Sequence, residues 1–340
     1  TQGFNLMGNP YPSPIDWNAA AGWTKTNIDN AIYYFKASTT DEWAGTYSTY
    51  INGISSDPGV ATNIIPSLQG FFIHVSAGSF PVTGTLGITN SVRVTDQTHP
   101  LVKSEEKGSE QLLRLRAGFS EDTALSDPLV IYFDEKAEED FDGNLDALKL
   151  FNTDYNVPNF YTLGSGGTRL SIDALPFPSD SLTKIPLGLY LYRDGNIVFR
   201  LEEISEDLHL NKLYLTDMAT GAEHDLLDNE YEVSLKEGEY NNRFWLNLLP
   251  VTTGIADAFP ENDLFSVYSS HGIIKAFVNT GKTGKGVISI TNLTGQRLLL
   301  RKVSENGHIE FNPGIKDGIY FVTFTSDNFR STRKIMIQNR

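Results

Sequence analysis

Between Leu112 and Leu248 short apolar runs alternate with Gly, Asp, Asn and Pro. The repeat is roughly 8–12 residues, the spacing of short strands joined by turns. Leu112-Leu-Arg-Leu-Arg116, Pro128-Leu-Val-Ile-Tyr-Phe133 and Arg243-Phe-Trp-Leu-Asn-Leu248 are examples. Such runs are too short for independent helices and are bounded by helix-breaking residues. Their backbone groups must therefore be satisfied by neighbouring strands. The pattern predicts an all-β fold of packed sandwiches. Asp140 to Leu150 holds at most one short helical turn. The 29 Gly and 15 Pro, with abundant Thr, Tyr, Phe and Val, fit the same reading.

Three segments follow from the pattern, and they predict tandem β-sandwich domains. Residues 1–98 form a β-rich domain that opens on Phe4-Asn-Leu-Met-Gly-Asn-Pro-Tyr-Pro-Ser-Pro-Ile-Asp-Trp17. Its closely spaced prolines bar helix and interrupt strand pairing. Ile32–Phe35, Tyr47–Ile51 and Gly70–Val75 read as its strands. Residues 97–110 are polar and read as a linker or a long exposed loop, and residues 99–254 form a β-sandwich domain. In residues 255–340, strands are expected at 265–269, 273–278, 287–292, 297–303, 308–311, 318–325 and 332–338. Seven strands in so short a stretch is the count of an immunoglobulin-like sandwich.

Charge is uneven. Residues 255–340 carry 11 basic and 7 acidic residues, a balance of +4, whereas residues 1–254 carry 16 and 35, a balance of −19. An acidic body repels nucleic acid and anionic membranes. No apolar run approaches the roughly 20 residues needed to span a bilayer as a helix. Cysteine is absent, which excludes disulfides, thiol catalysis and thiolate zinc sites. Thr1-Gln2-Gly3-Phe4 does not read as a signal peptide, so the chain is expected to be the C-terminal piece of a longer precursor.

The end of the chain narrows the reading. Asp317-Gly-Ile-Tyr320 enters a strand, Ser326-Asp-Asn328 supplies a turn, and Lys334-Ile-Met-Ile-Gln338 lies in a last strand. Upstream, Val287-Ile-Ser-Ile-Thr-Asn-Leu-Thr-Gly-Gln-Arg297 is strand, turn and strand, with Gly295 supplying positive φ. This arrangement resembles the type A C-terminal sorting domain of proteins exported by the type IX secretion system of Bacteroidetes. Many such domains open on Pro-Asn-Pro, whereas Phe265-Ser-Val-Tyr-Ser-Ser270 stands here. Gly8-Asn-Pro-Tyr-Pro-Ser-Pro-Ile-Asp-Trp17, Gly70-Phe-Phe-Ile73 and Arg243-Phe-Trp-Leu246 resemble segments found ahead of such domains. The resemblance implies passage through the periplasm and delivery to the cell surface or medium. The implied partners are the type IX translocon and its outer-membrane barrel shuttle. Gly318, Tyr320, Lys334 and Ile337 are the positions expected to shape the recognised hairpin.

Other chemistry is sparse. Asp140, Asp142, Asn144 and Asp146 put oxygen ligands at alternate positions, which suits a loop around Ca²⁺. The EF-hand positions for Gly and Glu hold Leu145 and Phe151 instead, and a solvated acidic loop is the plainer account. No other cofactor is called for. The histidines are scattered, Gly-x-Ser-x-Gly is absent, and Leu163-Gly-Ser-Gly-Gly-Thr168 lacks the Lys of a phosphate loop. Enzymatic activity is therefore not expected. Trp23 and Trp43 are the candidate exposed rings for a glycan, set against the plainer role of filling a core. Asp122-Thr-Ala124 and Asp180-Ser-Leu182 resemble Bacteroidetes O-glycosylation sites, with Thr123 and Ser181 as acceptors. Two further roles for the body stand beside export. It is an adhesin or carbohydrate-binding module with a glycan or protein ligand, or a stalk for an absent N-terminal domain.

Overall fold

The computed structural model describes residues 3–39, 41–79, 81–94, 111–122, 124–178, 182–205, 207–250, 265–270, 272–278, 285–304, 307–326 and 329–337. Regular structure among them is strand, with two short 3-10 turns and no α-helix. The chain divides into two compact units, Thr1–Pro250 and Val251–Arg340.

The first unit contains a five-stranded sheet in the order Phe4–Gly8, Gly70–Val75, Ile28–Ala37, Gly45–Ile51, Ile54–Ser55. It also contains a larger sheet whose neighbouring pairs are antiparallel apart from Ser126–Phe133 with Arg169–Leu175. Side-chain alternation explains how the two sheets join. Along Ser126–Phe133, Leu129, Ile131 and Phe133 enter one core, and Val130 and Tyr132 enter another. All eight residues of that strand are buried. A strand covered on both faces has no solvent side, which is why Pro128–Phe133 reads as a continuous apolar run.

The first core draws on strands across the larger sheet, from Leu213 and Leu246 to Phe199 and Tyr231. The second core lies between the sheets, where Val130, Tyr132 and Ile172 meet Ala31, Tyr33 and Ile51. On the far side of the five-stranded sheet, Ile32, Tyr34 and Phe71 pack with Ile15, Trp17 and Val92. The segments 1–98 and 99–254, read as two domains in the sequence, thus share a core, and the compact unit they form ends at Pro250. The polar stretch 97–110 lies wholly outside the described residues, as do residues 95 and 96.

Polar groups tie the same seam. The buried Arg114 guanidinium donates to the carbonyls of Ser55 and Ser56, at 2.7 and 3.2 Å, and pairs with Glu203. Arg116 bridges Asp57 and Glu202, each at 2.7 Å.

Among the described residues, the second unit has seven strands in two sheets. Phe265–Ser270, Ile273–Val278 and Gly307–Phe311 form one sheet. The other has the order Arg297–Val303, Gly286–Thr291, Gly318–Thr325, Arg330–Ile337. Phe265, Ile274 and Val278 of the first sheet meet Ile288, Val322, Phe324 and Ile335 of the second in one core. Each fully buried side chain of this kind contributes ~1.5–3 kcal/mol. The expected strands recur with shifts of one or two residues. Gly295 has φ +82° in the turn after Gly286–Thr291, and Asn292 Oδ1 accepts the Thr294 and Gln296 amides there.

Candidate functional site

A buried charge organises one surface of the first unit. Asp127 and Lys149 are each all but inaccessible, and Lys149 Nζ lies 2.5 Å from Asp127 Oδ2. The same carboxylate accepts Asn152 Nδ2 at 2.8 Å and the Phe160 amide at 2.7 Å. Asn152 passes the constraint on. Its Oδ1 accepts the Tyr47 amide at 3.0 Å, and its carbonyl accepts the Tyr192 hydroxyl at 3.0 Å. A fully buried carboxylate is tolerated only when paired and hydrogen-bonded. Here the satisfied cluster fixes the start of the loop 151–158.

That loop begins and continues a row of aromatic rings. Phe151 and Tyr190 have centroids 5.6 Å apart, Tyr190 and Tyr192 4.9 Å, and Tyr192 and Tyr155 4.9 Å. Phe151 rests on the buried Tyr161 at 5.6 Å, and the Arg169 guanidinium lies over both rings. Tyr161 fits because residue 188 is glycine. A Cβ at Gly188 would fall 2.0 Å from the Tyr161 ring. The Tyr161 hydroxyl donates to Asn241 Oδ1 at 2.9 Å. Toward the outside the row opens to solvent, and Tyr155 is 65% exposed.

Trp43 belongs to the adjoining loop. Its carbonyl accepts the Thr153 hydroxyl at 3.3 Å, and Gly45 accepts the amides of Thr153 and Asp154. The indole is 81% exposed. Trp23 is placed differently. Its ring lies 4.8 Å from that of Trp17, and its indole N–H donates to the Asp16 carbonyl at 2.8 Å. Lys25 Nζ sits 3.5 Å from the centre of the Trp17 ring. Burial pulls that ammonium down to about 8, against the attraction of Asp16.

In the second unit, the last hairpin pairs Gly318 with Ile337, Tyr320 with Ile335, and Phe321 with Lys334. Tyr320 and Ile337 point into the core. The Tyr320 hydroxyl donates to the Lys316 carbonyl at 2.8 Å, which pins the entry loop. Lys334 is exposed on the opposite face, which also presents Ile319, Met336, Leu298 and Leu300.

Comparison with known families resolves the two units. Residues 1–248 match the model of a domain of unknown function (DUF8693). The chain belongs to this family. Residues 260–338 match the secretion system C-terminal sorting domain, so the protein is a type IX secretion cargo. No curated protein matches the chain.

Within the DUF8693 portion, the acidic loop is committed to its own backbone. Asp146 accepts the Ala174 and Asp142 amides, each at 2.7 Å, and Asp142 Oδ1 accepts the Asn144 amide at 2.9 Å. No group of three or more carboxylates or histidines suited to a metal occurs among the described residues. Asp140, Asp142, Asn144 and Asp146 therefore do not form a cage around a cation in this structure. Burial pushes the Asp146 carboxyl up to about 6, against its two amide donors. Asp173 is pushed up to about 7, again chiefly by burial, with the neighbouring Asp146 adding to it. Thr123 and Ser181 lie outside the described residues.

His74 and Asp29 also pair, with His74 Nδ1 2.6 Å from Asp29 Oδ2. The Ser76 hydroxyl donates to the other Asp29 oxygen at 2.6 Å. The serine thus faces the acid, where a nucleophile would face the imidazole. No described helix is long and apolar enough to cross a membrane.

The sequence reading missed the row built on Phe151, Tyr155, Tyr190 and Tyr192. Its one available signal was Tyr190-Leu-Tyr192, two rings on one face of a strand.

Proposed function

We propose that the protein is a non-enzymatic binding module that the type IX machinery carries across the outer membrane and leaves attached at the cell surface. The second unit acts as the address. Its recognised element is the hairpin of Gly318–Thr325 and Arg330–Ile337. Gly318, Tyr320 and Ile337 shape that hairpin from within, and Lys334 is presented to the outer-membrane barrel shuttle. The observation that carries this reading is the match of residues 260–338 to the sorting domain, on a unit with its own closed core. A folded β-domain with an exposed sheet face and edges offers a partner both side chains and unpaired strand groups.

The test is the location of the full chain in a type IX-competent Bacteroidetes host and in a secretion-deficient derivative. Protease added to intact cells should degrade the protein only in the competent host. Full protection in both hosts would refute surface display, and recovery in the medium alone would refute attachment.

A further inference from the structure

We propose that the aromatic row of Tyr155, Tyr192 and Phe151, with Trp43 on the adjoining loop, is a binding site for an uncharged glycan. The proposal deepens the binding-module reading of the first unit and rests on it. Three observations carry it.

The first is the cost of the arrangement. Trp43 and Tyr155 are large rings left 81% and 65% exposed. Folding gains little from a ring left in water. Both sit on loops held by specific backbone bonds, through Thr153, Gly45 and the Asp127–Lys149 cluster. With the backbone of both loops held in this way, less loop ordering entropy opposes binding.

The second is the chemistry between the rings. An apolar protein partner would favour a core free of charge. This row instead carries hydrogen-bonding groups beside its rings. Arg169 lies over Phe151 and pairs with Glu239. Asn156 is exposed, with its amide hydrogen-bonded to Asp154. Sugars present C–H faces that stack on rings and hydroxyl edges that need donors and acceptors. Rings with polar groups at hand match that pattern.

The third is charge. Residues 1–254 carry a balance of −19. A field of that sign repels sulfated and uronate-rich polymers and leaves an uncharged one indifferent. The Arg169–Glu239 pair adds no net charge at the row.

Affinity electrophoresis of the purified full chain tests the site. The gels contain a soluble mixed-linkage β-glucan, a xyloglucan or a galactomannan, with heparin as the anionic control. Retardation by at least one uncharged polymer is expected, with none by heparin. Trp43→Ala and Tyr155→Ala should each weaken it at least tenfold. Tyr155→Phe should retain it, and so should Met218→Ala, which removes an exposed apolar side chain elsewhere. Unchanged thermal melting of Trp43→Ala separates a lost contact from a lost fold, because the indole is exposed. Four results would each overturn the proposal: no retardation by any uncharged polymer, retardation by heparin alone, full retention in both alanine variants, or equal loss in Met218→Ala. None of them bears on surface display, which is measured in cells.

Discussion

Lys149→Met isolates what holds the loop 151–158 in place. The variant keeps an unbranched side chain one atom shorter and removes its charge. Asp127, with no accessible surface, then retains Asn152 Nδ2 and the Phe160 amide but loses its counter-charge. Removing one partner of a buried pair costs about 3–5 kcal/mol, because the other charge stays desolvated. For a body of about 250 residues, each kcal/mol moves Tm by roughly 2–4 °C. The first unit should therefore melt about 6–20 °C lower. Asp127→Asn in the same chain removes the stranded charge but keeps one acceptor oxygen, so only one of the two remaining donors, Asn152 Nδ2 or the Phe160 amide, stays partnered. The double variant should recover part of the loss, which a double-variant cycle measured by urea unfolding will show. Amide exchange in residues 151–158 should rise in the single variant and fall back in the double. A cost below about 1 kcal/mol for Lys149→Met, or strictly additive effects, would refute a paired buried charge as the anchor.

Other consequences are accessible to simple assays. Asp173 is pushed up to about 7 by burial, so the folded protein holds a proton that the unfolded chain releases near pH 4. Stability should therefore fall as pH rises between about 4 and 7 and level off above. Asp173→Asn should stabilise by at most about 4 kcal/mol at pH 8 and hardly at all at pH 4, and melting curves at the two pH values will decide. Gly188→Ala puts a methyl group 2.0 Å from the Tyr161 ring and should cost about 1–3 kcal/mol by displacing it. Glycan binding should weaken with it, since Phe151 rests on Tyr161. EDTA should leave Tm unchanged, because Asp142 and Asp146 already serve backbone amides.

Much of the fold was legible in the chain, for a physical reason. Strands in the second unit have one wet face, so period-two alternation in Gly318–Thr325 and the positive φ of Gly295 marked strand and turn directly. In the first unit the same rule located the strands but not their layering. Val130 and Tyr132 face a different core from Leu129 and Ile131, and nothing local says which sheet covers them. The shared core of residues 1–98 and 111–250 depends on contacts far apart in sequence, such as Arg114 with Ser55. The acidic loop turns on a related point. Alternate carboxylates suit a cation only if they converge, and Asp146 turns instead to the Ala174 amide, 28 residues away in the chain. Of the two tryptophans singled out in the sequence, Trp43 stands in solvent and Trp23 packs on Trp17, a difference set by Trp17 and Asp16 rather than by the rings.

The most direct measurement is export of a reporter fused ahead of residues 251–340, in a Bacteroidetes host with and without a working type IX system. If this unit is a self-sufficient address, the reporter reaches the surface or medium only in the competent host, and Ile337→Asp, which puts a charge into the core, abolishes delivery. Periplasmic retention of the intact fusion in both hosts would contradict it.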